Sequence, residues 1–252
     1  MKKSVFLPVL AMILGGSLWA GDFTFSAGAG GLVGGLFTRY NLKADGIKDG
    51  TQIKVDAGQE MNQFNYGALL FVDFVLGELS VNIQSGMNNW QQILDIDGLN
   101  SNKPSKGKGW ESMLGFTLLG KYPFHLGDQM TFFPLLGMEY QFALVQERTQ
   151  ADGWVYDRTD GLREKNEKNG KAYRMSDWNS LFIDIGGGLD YAITQKIFVR
   201  GEFLYSIRLM TPYEVKNLEN IKIMTGDSNP KLKGLTSGPN LRLSAGYRFW
   251  SL

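Results

Sequence analysis

Twelve ionisable side chains stand inside stretches of regular apolar alternation, and they are the residues here that could do chemistry. They are Asp73, Glu78, Glu111, Lys121, Glu139, Asp184, Asp190, Arg200, Glu202, Arg208, Arg242 and Arg248. Carboxylates can act as general acids and bases. Opposite charges about 4 Å apart also attract by roughly 4 kcal/mol at an effective dielectric of 20. Other routes to catalysis are thin. The chain has no cysteine and one histidine, His125, in a short connection, where it reads as a solvated turn residue. No G-x-S-x-G elbow occurs, so acid-only hydrolysis through carboxylates in the connections is the one enzymatic route left, and no enzyme is expected. The run Gly28-Ala-Gly-Gly-Leu-Val-Gly-Gly35 breaks the G-x-G-x-x-G spacing at Val33 and continues as a strand; its small residues serve close packing. Asp95-Ile-Asp97-Gly98-Leu-Asn100-Ser-Asn102 offers oxygens at alternate positions but lacks the bidentate Glu of a calcium loop, and an Asp-Gly turn explains it. No metal and no cofactor is expected.

The charges are positioned by elements of period two. In 196–210, KIFVRGEFLYSIRLM, one set is Ile197, Val199, Gly201, Phe203, Tyr205, Ile207 and Leu209; the other holds Arg200, Glu202 and Arg208. Successive strand side chains point to opposite faces, so each charge sits on a face of its own. The pattern recurs in 62–75, 78–92, 110–122, 130–145, 179–192 and 239–250. Residues 22–40 are glycine-rich and do not phase cleanly, as a bulge there would explain. This makes about eight strands. Connections alternate in length, with long ones at roughly 42–61, 95–109, 147–177 and 211–238 and short ones near 76–77, 125–128 and 194–195. A meander of this rhythm puts every long connection at one end.

None of the twelve charges interrupts an apolar face. A soluble sandwich also alternates, with its apolar face inward. Here the apolar face is unusually clean and aromatic, and the polar face is glycine- and serine-studded with charges of both signs at mid-strand. That fits a closed all-β barrel, antiparallel and up-and-down, with apolar residues toward lipid and polar residues toward the lumen. Lipid demands closure, because an open edge leaves unpaired backbone groups in hydrocarbon. The first strand, around Phe23–Tyr40, therefore has to pair with the last, Asn240–Trp250. Eight strands leave a lumen that side chains fill. Glu139, Asp184, Glu202 and Asp190 are expected to pair there with Arg200, Arg208, Arg242 and Arg248, as a structural plug in preference to a gated channel.

The totals agree with export and with one domain. Lys and Arg number 26 against 25 Asp and Glu, a net charge of +1, and nucleic-acid binding needs a basic field. Met1-Lys2-Lys3, the apolar run from Val5 to Leu14 and Ala20 read as a secretory signal over 1–20. Residues 21–252 form the single barrel domain.

With its signal, its alternating strands and its ending Leu241-Arg-Leu-Ser-Ala-Gly-Tyr-Arg-Phe-Trp250, the chain resembles the small outer-membrane β-barrels of Gram-negative-type bacteria: OmpX, OmpW and the OmpA membrane domain. The resemblance is one of pattern over the whole mature chain. It implies an outer-membrane location in contact with its lipid, short turns in the periplasm and four long loops outside. It also implies delivery by periplasmic chaperones to the barrel-assembly machinery, which reads the final strand. Here Phe249 and Trp250 are followed by Ser251 and Leu252, so that signal is displaced by two residues.

The third long connection mixes charge with aromatics, and Trp154, Tyr156, Arg158 and Tyr173 are its candidate contacts for a host or matrix ligand. In the fourth, Val215, Leu218, Ile221 and Met224 recur at helical spacing. Trp90, Trp110, Tyr122, Tyr140, Tyr191, Tyr205, Tyr247 and Trp250 are placed for interfacial belts. The expected function is non-enzymatic: an outer-membrane barrel displaying four surface loops for envelope integrity or adhesion. The alternative is a narrow channel for small or apolar solutes.

Overall fold

The structure is a computed structural model that describes residues 24–48, 50–74, 76–96, 105–150, 155–157, 175–209, 212–227 and 229–251. The segment read as a secretory signal lies outside them. Eight long strands make the fold: β1 (Thr24–Lys48), β2 (Thr51–Phe74), β3 (Gly77–Ile96), β4 (Ser105–Lys121), β5 (Met130–Gln150), β6 (Ser180–Ala192), β7 (Ile197–Arg208) and β8 (Lys231–Ser251). Each is antiparallel to the next, and β1 closes on β8 from Thr24↔Ser251 to Lys43↔Lys231. Short strands Phe124–His125 and Val155–Asp157 lie along β5. A 3-10 turn, Met175–Trp178, and helix α1, Pro212–Thr225, complete the described elements.

The ring is staggered. Following paired residues from Trp90 through Met61, Thr38, Thr236, Arg208, Phe182, Glu139 and Thr117 leads back to β3 at Ser80, ten residues from the start (Trp90 to Ser80). With strands about 4.8 Å apart and a rise of about 3.3 Å per residue, that stagger tilts the strands by about 40°, inside the range for closed barrels. One bulge lies on β5 at Leu144, between Val145 opposite Ser112 and Ala143 opposite Met113, and a second shifts β1 against β8 at Phe25/Ser26.

Which way each face points follows from exposure. Arg200 is 2% exposed and Arg242 1%, whereas Leu243 is 72% and Phe203 49% exposed. The charges look inward and the apolar side chains outward. On β1 the outward apolar run extends from Phe25 to Phe37, and on β2 from Phe74 to Phe64. At the tilt above, a run of this length spans roughly the 25 Å of an outer-membrane barrel's apolar band. Aromatic clusters gather toward both margins: Phe25, Tyr247 and Phe249 with Tyr122, Phe124 and Phe132 at the short-turn end, and Phe116, Tyr140 and Phe142 at the other.

Two expectations are corrected. The long connection expected at 42–61 is strand: β1 and β2 stay paired to Lys48↔Thr51 and turn at Gly50, whose φ is +79°. The reason is an inversion of polarity along the strands. Beyond Phe37 the outward residues become Arg39, Asn41, Lys43 and Asp45, while Leu42 and Ala44 of β1 with Val55 and Met61 of β2 are buried within. A search for an outward greasy face stops at that inversion, although the strands do not. Likewise β3 runs to Ile96, β4 begins at Ser105, β5 reaches Gln150 and β8 starts at Lys231. Second, Trp90 is no belt residue; its even register on β3 turns it inward, buried with Met61. Trp110 is half-buried, and the Trp250 side chain is outside the described residues. The wall above the belt is also uneven. Pairing ends at Gln141↔Ser180 for β5–β6 and at Thr236↔Arg208 for β7–β8, while β1 to β5 and β8 run higher. Helix α1 occupies this level, touching β1, β2 and the 3-10 turn.

Candidate functional site

The site is the lumen, stacked in tiers from the short-turn end to the mouth. In the lowest tier Arg200 is the hub. Its Nε and Nη2 donate to the two oxygens of Asp190 at 2.7 and 2.9 Å. Nη1 and Nη2 donate to Asp73 at 3.1 and 2.7 Å, and Nη1 to Glu78 at 2.7 Å. Lys121 Nζ approaches Asp73 at 2.6 Å, and the Ser26 hydroxyl donates to it at 2.8 Å. The guanidinium carbon lies 4.7, 5.0 and 5.1 Å from the ring centres of Phe71, Phe133 and Phe198. Three rings this close to a forked cation add cation–π attraction to its hydrogen bonds.

The middle tier centres on Arg242, whose Nη2 donates to Glu139 at 3.2 Å and to Thr117 at 3.4 Å. Glu139 also accepts amide donors from Asn82 (3.1 Å), Gln84 (3.3 Å) and Gln141 (2.9 Å). Gly115 makes room for them: a Cβ there would lie 2.5 Å from Asn82 Oδ1 and 2.6 Å from Glu139 Oε1. Asp184 is fully buried in this tier, and Glu202 stands 4.0 Å from Arg200. Higher still, Glu111 accepts from Gln63 and from Gln146, the latter at 3.2 Å. Between the tiers, Leu32, Leu69, Phe71 and Phe198 form one apolar cluster, and Leu119, Phe133, Leu135 and Leu204 another.

At the mouth the polar chain turns to α1. Arg208 Nη2 donates to Glu214 at 2.9 Å and to the Tyr40 hydroxyl at 2.6 Å. Tyr40 and Thr38 each lie within hydrogen-bond reach of Thr236, at 3.0 and 2.9 Å. Burial pushes the Tyr40 phenol above its ordinary pKa, and the Arg208 charge partly offsets this. The far end of α1 is tied by Asp227, whose carboxylate accepts the backbone N–H of Asn229 at 2.7 Å and of Asp45 at 2.9 Å. Those N–H donors, Asn229 first, lower its pKa.

The expected charge residues are thus distributed over different levels. Glu139, Asp184, Asp190, Arg200, Glu202 and Arg242 lie within the buried tiers. Arg208 does not join their acids; it stands at the mouth because β7 ends there, and it pairs with Glu214. Arg248 lies near the short-turn end against the Phe198 ring, at 5.1 Å, where β8 has almost left the barrel. Asp73, Glu78 and Lys121, assigned to the polar face but not to the expected pairing, join the network. Hairpin arithmetic carries the signal: Asp73 pairs with Glu78 across one short turn, and Asp190 with Arg200 across another. Trp154, Arg158 and Tyr173 lie outside the described residues; Tyr156 pairs through its backbone with Arg148. His125 is exposed beside Thr131. Among the described residues no three acidic or imidazole side chains converge to hold a metal directly.

No family model and no curated protein matches the chain. Among solved structures it is similar to the outer membrane protein OprG from Pseudomonas aeruginosa at 16% identity, covering 91% of this chain and 96% of that one, with a TM-score of 0.42. It is similar to Ail, the attachment invasion locus protein of Yersinia pestis, at 12% identity over 88% and 99%, with a TM-score of 0.30. It is also similar to the translocator domain of the autotransporter NalP from Neisseria meningitidis, at 13% identity over 97% and 97%, TM-score 0.30. Overlaps this loose leave the barrel assignment resting on the chain's own closed strand pairing.

Proposed function

We propose that this chain is a non-enzymatic integral outer-membrane barrel: a plugged anchor in the lipid whose working surface is the crown of strand extensions and connections beyond the apolar belt. One observation carries the reading. The outward face is apolar on every strand of the ring, while the ionisable residues within the belt face inward and pair with one another. Lys or Arg facing lipid near the midplane costs about 2–4 kcal/mol, and this arrangement avoids that cost throughout. In this reading the short connections are periplasmic, and the final strand β8 is what chaperones and assembly machinery handle. The crown meets a host or matrix ligand or stiffens the envelope. Limited proteolysis of intact cells tests the orientation: cuts confined to the long-connection end support it, and cuts at Leu126–Asp128 overturn it. Planar-bilayer recording tests the plug. A silent barrel is expected; reproducible openings lost on replacing Arg208 or Glu202 would put a solute channel in its place.

A further inference from the structure

The lumen is short of positive charge. In the middle tier Glu139, Asp184 and Glu202 share Arg242, with Arg200 of the lower tier 4.0 Å from Glu202. Adding the lower tier brings Asp73, Glu78 and Asp190 with Arg200 and Lys121, so six buried carboxylates share three cations among the described residues. Hydrogen bonding is lopsided in the same direction. Both oxygens of Asp184, one oxygen each of Glu78 and Glu202, and Oδ1 of Asn82 and Asn240 are buried with no partner. In this stretch the matching orphan donor is Arg242 Nε. Ser206, the ladder partner of Asp184, is the one neighbouring hydroxyl set to donate to it, and a single hydroxyl cannot serve both oxygens. Asn82, Asp184 and Asn240 reach inward at one level of the staggered ring.

Buried water could supply donors to these oxygens, but water supplies no charge. A cation supplies both the charge and the coordination that orphaned carboxylate, amide and hydroxyl oxygens offer, and hard cations prefer such ligands. Because no three acidic side chains converge directly, the ion is held partly through water, which suits a monovalent ion better than a calcium cage. We propose that the lumen binds sodium or potassium at the Asp184 tier, with Asp184 and the amide oxygens of Asn82 and Asn240 as its oxygen shell.

A ligand bound only by the folded barrel stabilises it by mass action: above saturation, each tenfold rise in ion raises the folding constant about tenfold. The test is urea unfolding of the full barrel in lipid vesicles, at fixed pH and ionic strength, in sodium, potassium or N-methylglucamine chloride. Higher midpoints in sodium or potassium are expected, with the dependence lost in Asp184→Asn. Equal midpoints in all three salts overturn the proposal, as does stability that answers to pH alone, since protons would then carry the charge. An Asp184→Asn barrel that keeps the ion dependence overturns it too. Should that variant not fold, rubidium-soaked crystals of the unaltered chain decide: an anomalous peak beside Asp184 supports the site, and its absence removes it.

Discussion

Replacing Arg200 with alanine isolates the lower tier. The guanidinium makes five charge-assisted hydrogen bonds to three acids. Removing one partner of a buried pair costs about 3–5 kcal/mol, because it strands the other charge. Here the survivors are unequal. Asp73 keeps Lys121 and Ser26, so its share of the loss is small. Asp190 keeps no cation among the described residues, and Glu78 keeps Arg242 only at 3.9 Å. A loss near 5 kcal/mol is expected, a large fraction of a domain's usual 5–15 kcal/mol. Urea unfolding in vesicles, followed by tryptophan fluorescence, reads it. A paired variant, Arg200→Met with Asp190→Asn, removes charge from both sides and should recover most of the loss. A single-variant cost below about 1 kcal/mol, or a paired variant no better than the single, would refute the reasoning that this tier stands on charge pairing.

Leu243→Arg should cost about 2–4 kcal/mol at mid-belt, whereas Asn41→Arg, on the same outward side but above the inversion, should stay within about 0.5 kcal/mol; similar costs would remove the lipid-facing assignment. Gly115→Ala drives a methyl into Asn82 and Glu139 and should lose about 1–3 kcal/mol. Gly201→Ala first meets Leu243 Cδ2 at an ordinary 3.7 Å and should instead gain a few tenths by restricting the unfolded chain; unfolding midpoints compare the two. For Asp227 the sign follows from its lowered pKa: the tie to Asp45 is present above the ordinary carboxylate range and is lost as pH falls through the lowered value. Hydrogen exchange at the Asp45 amide should lose protection on acidification in the unaltered chain, and protection that does not change with pH would count against the tie.

Alternation was legible wherever lipid enforces it. Arg200, Glu202 and Arg242 could be assigned to the lumen from parity alone, because the outward set in β7 and β8 is uninterrupted. The glycine-rich β1 could not be phased, since glycines occupy both faces: Gly28 and Gly30 yield to Phe71 and Ser244 within, while Gly31 faces outward. The strand extensions were missed for a different reason. Past Phe37 water replaces hydrocarbon, so the greasy face changes sides and the period survives with its meaning reversed. Partner choice inside the lumen was the least legible part. Side chains converge there across the tube, as Arg242 reaches Glu139 from β8 to β5, and sequence spacing within one hairpin carries no trace of that. The exceptions, Asp73 with Glu78 and Asp190 with Arg200, are neighbours across tight turns, where spacing does report proximity.

The reversal at Phe37 also acts as a depth gauge. A slide of β1 by two residues against its neighbours would keep every side chain on its own side, so inside-outside alternation cannot resist it. It would, however, carry Arg39 down into hydrocarbon or lift Phe37 into water. Vertical position in the bilayer is therefore encoded separately from orientation, at the one height where oil and water exchange faces.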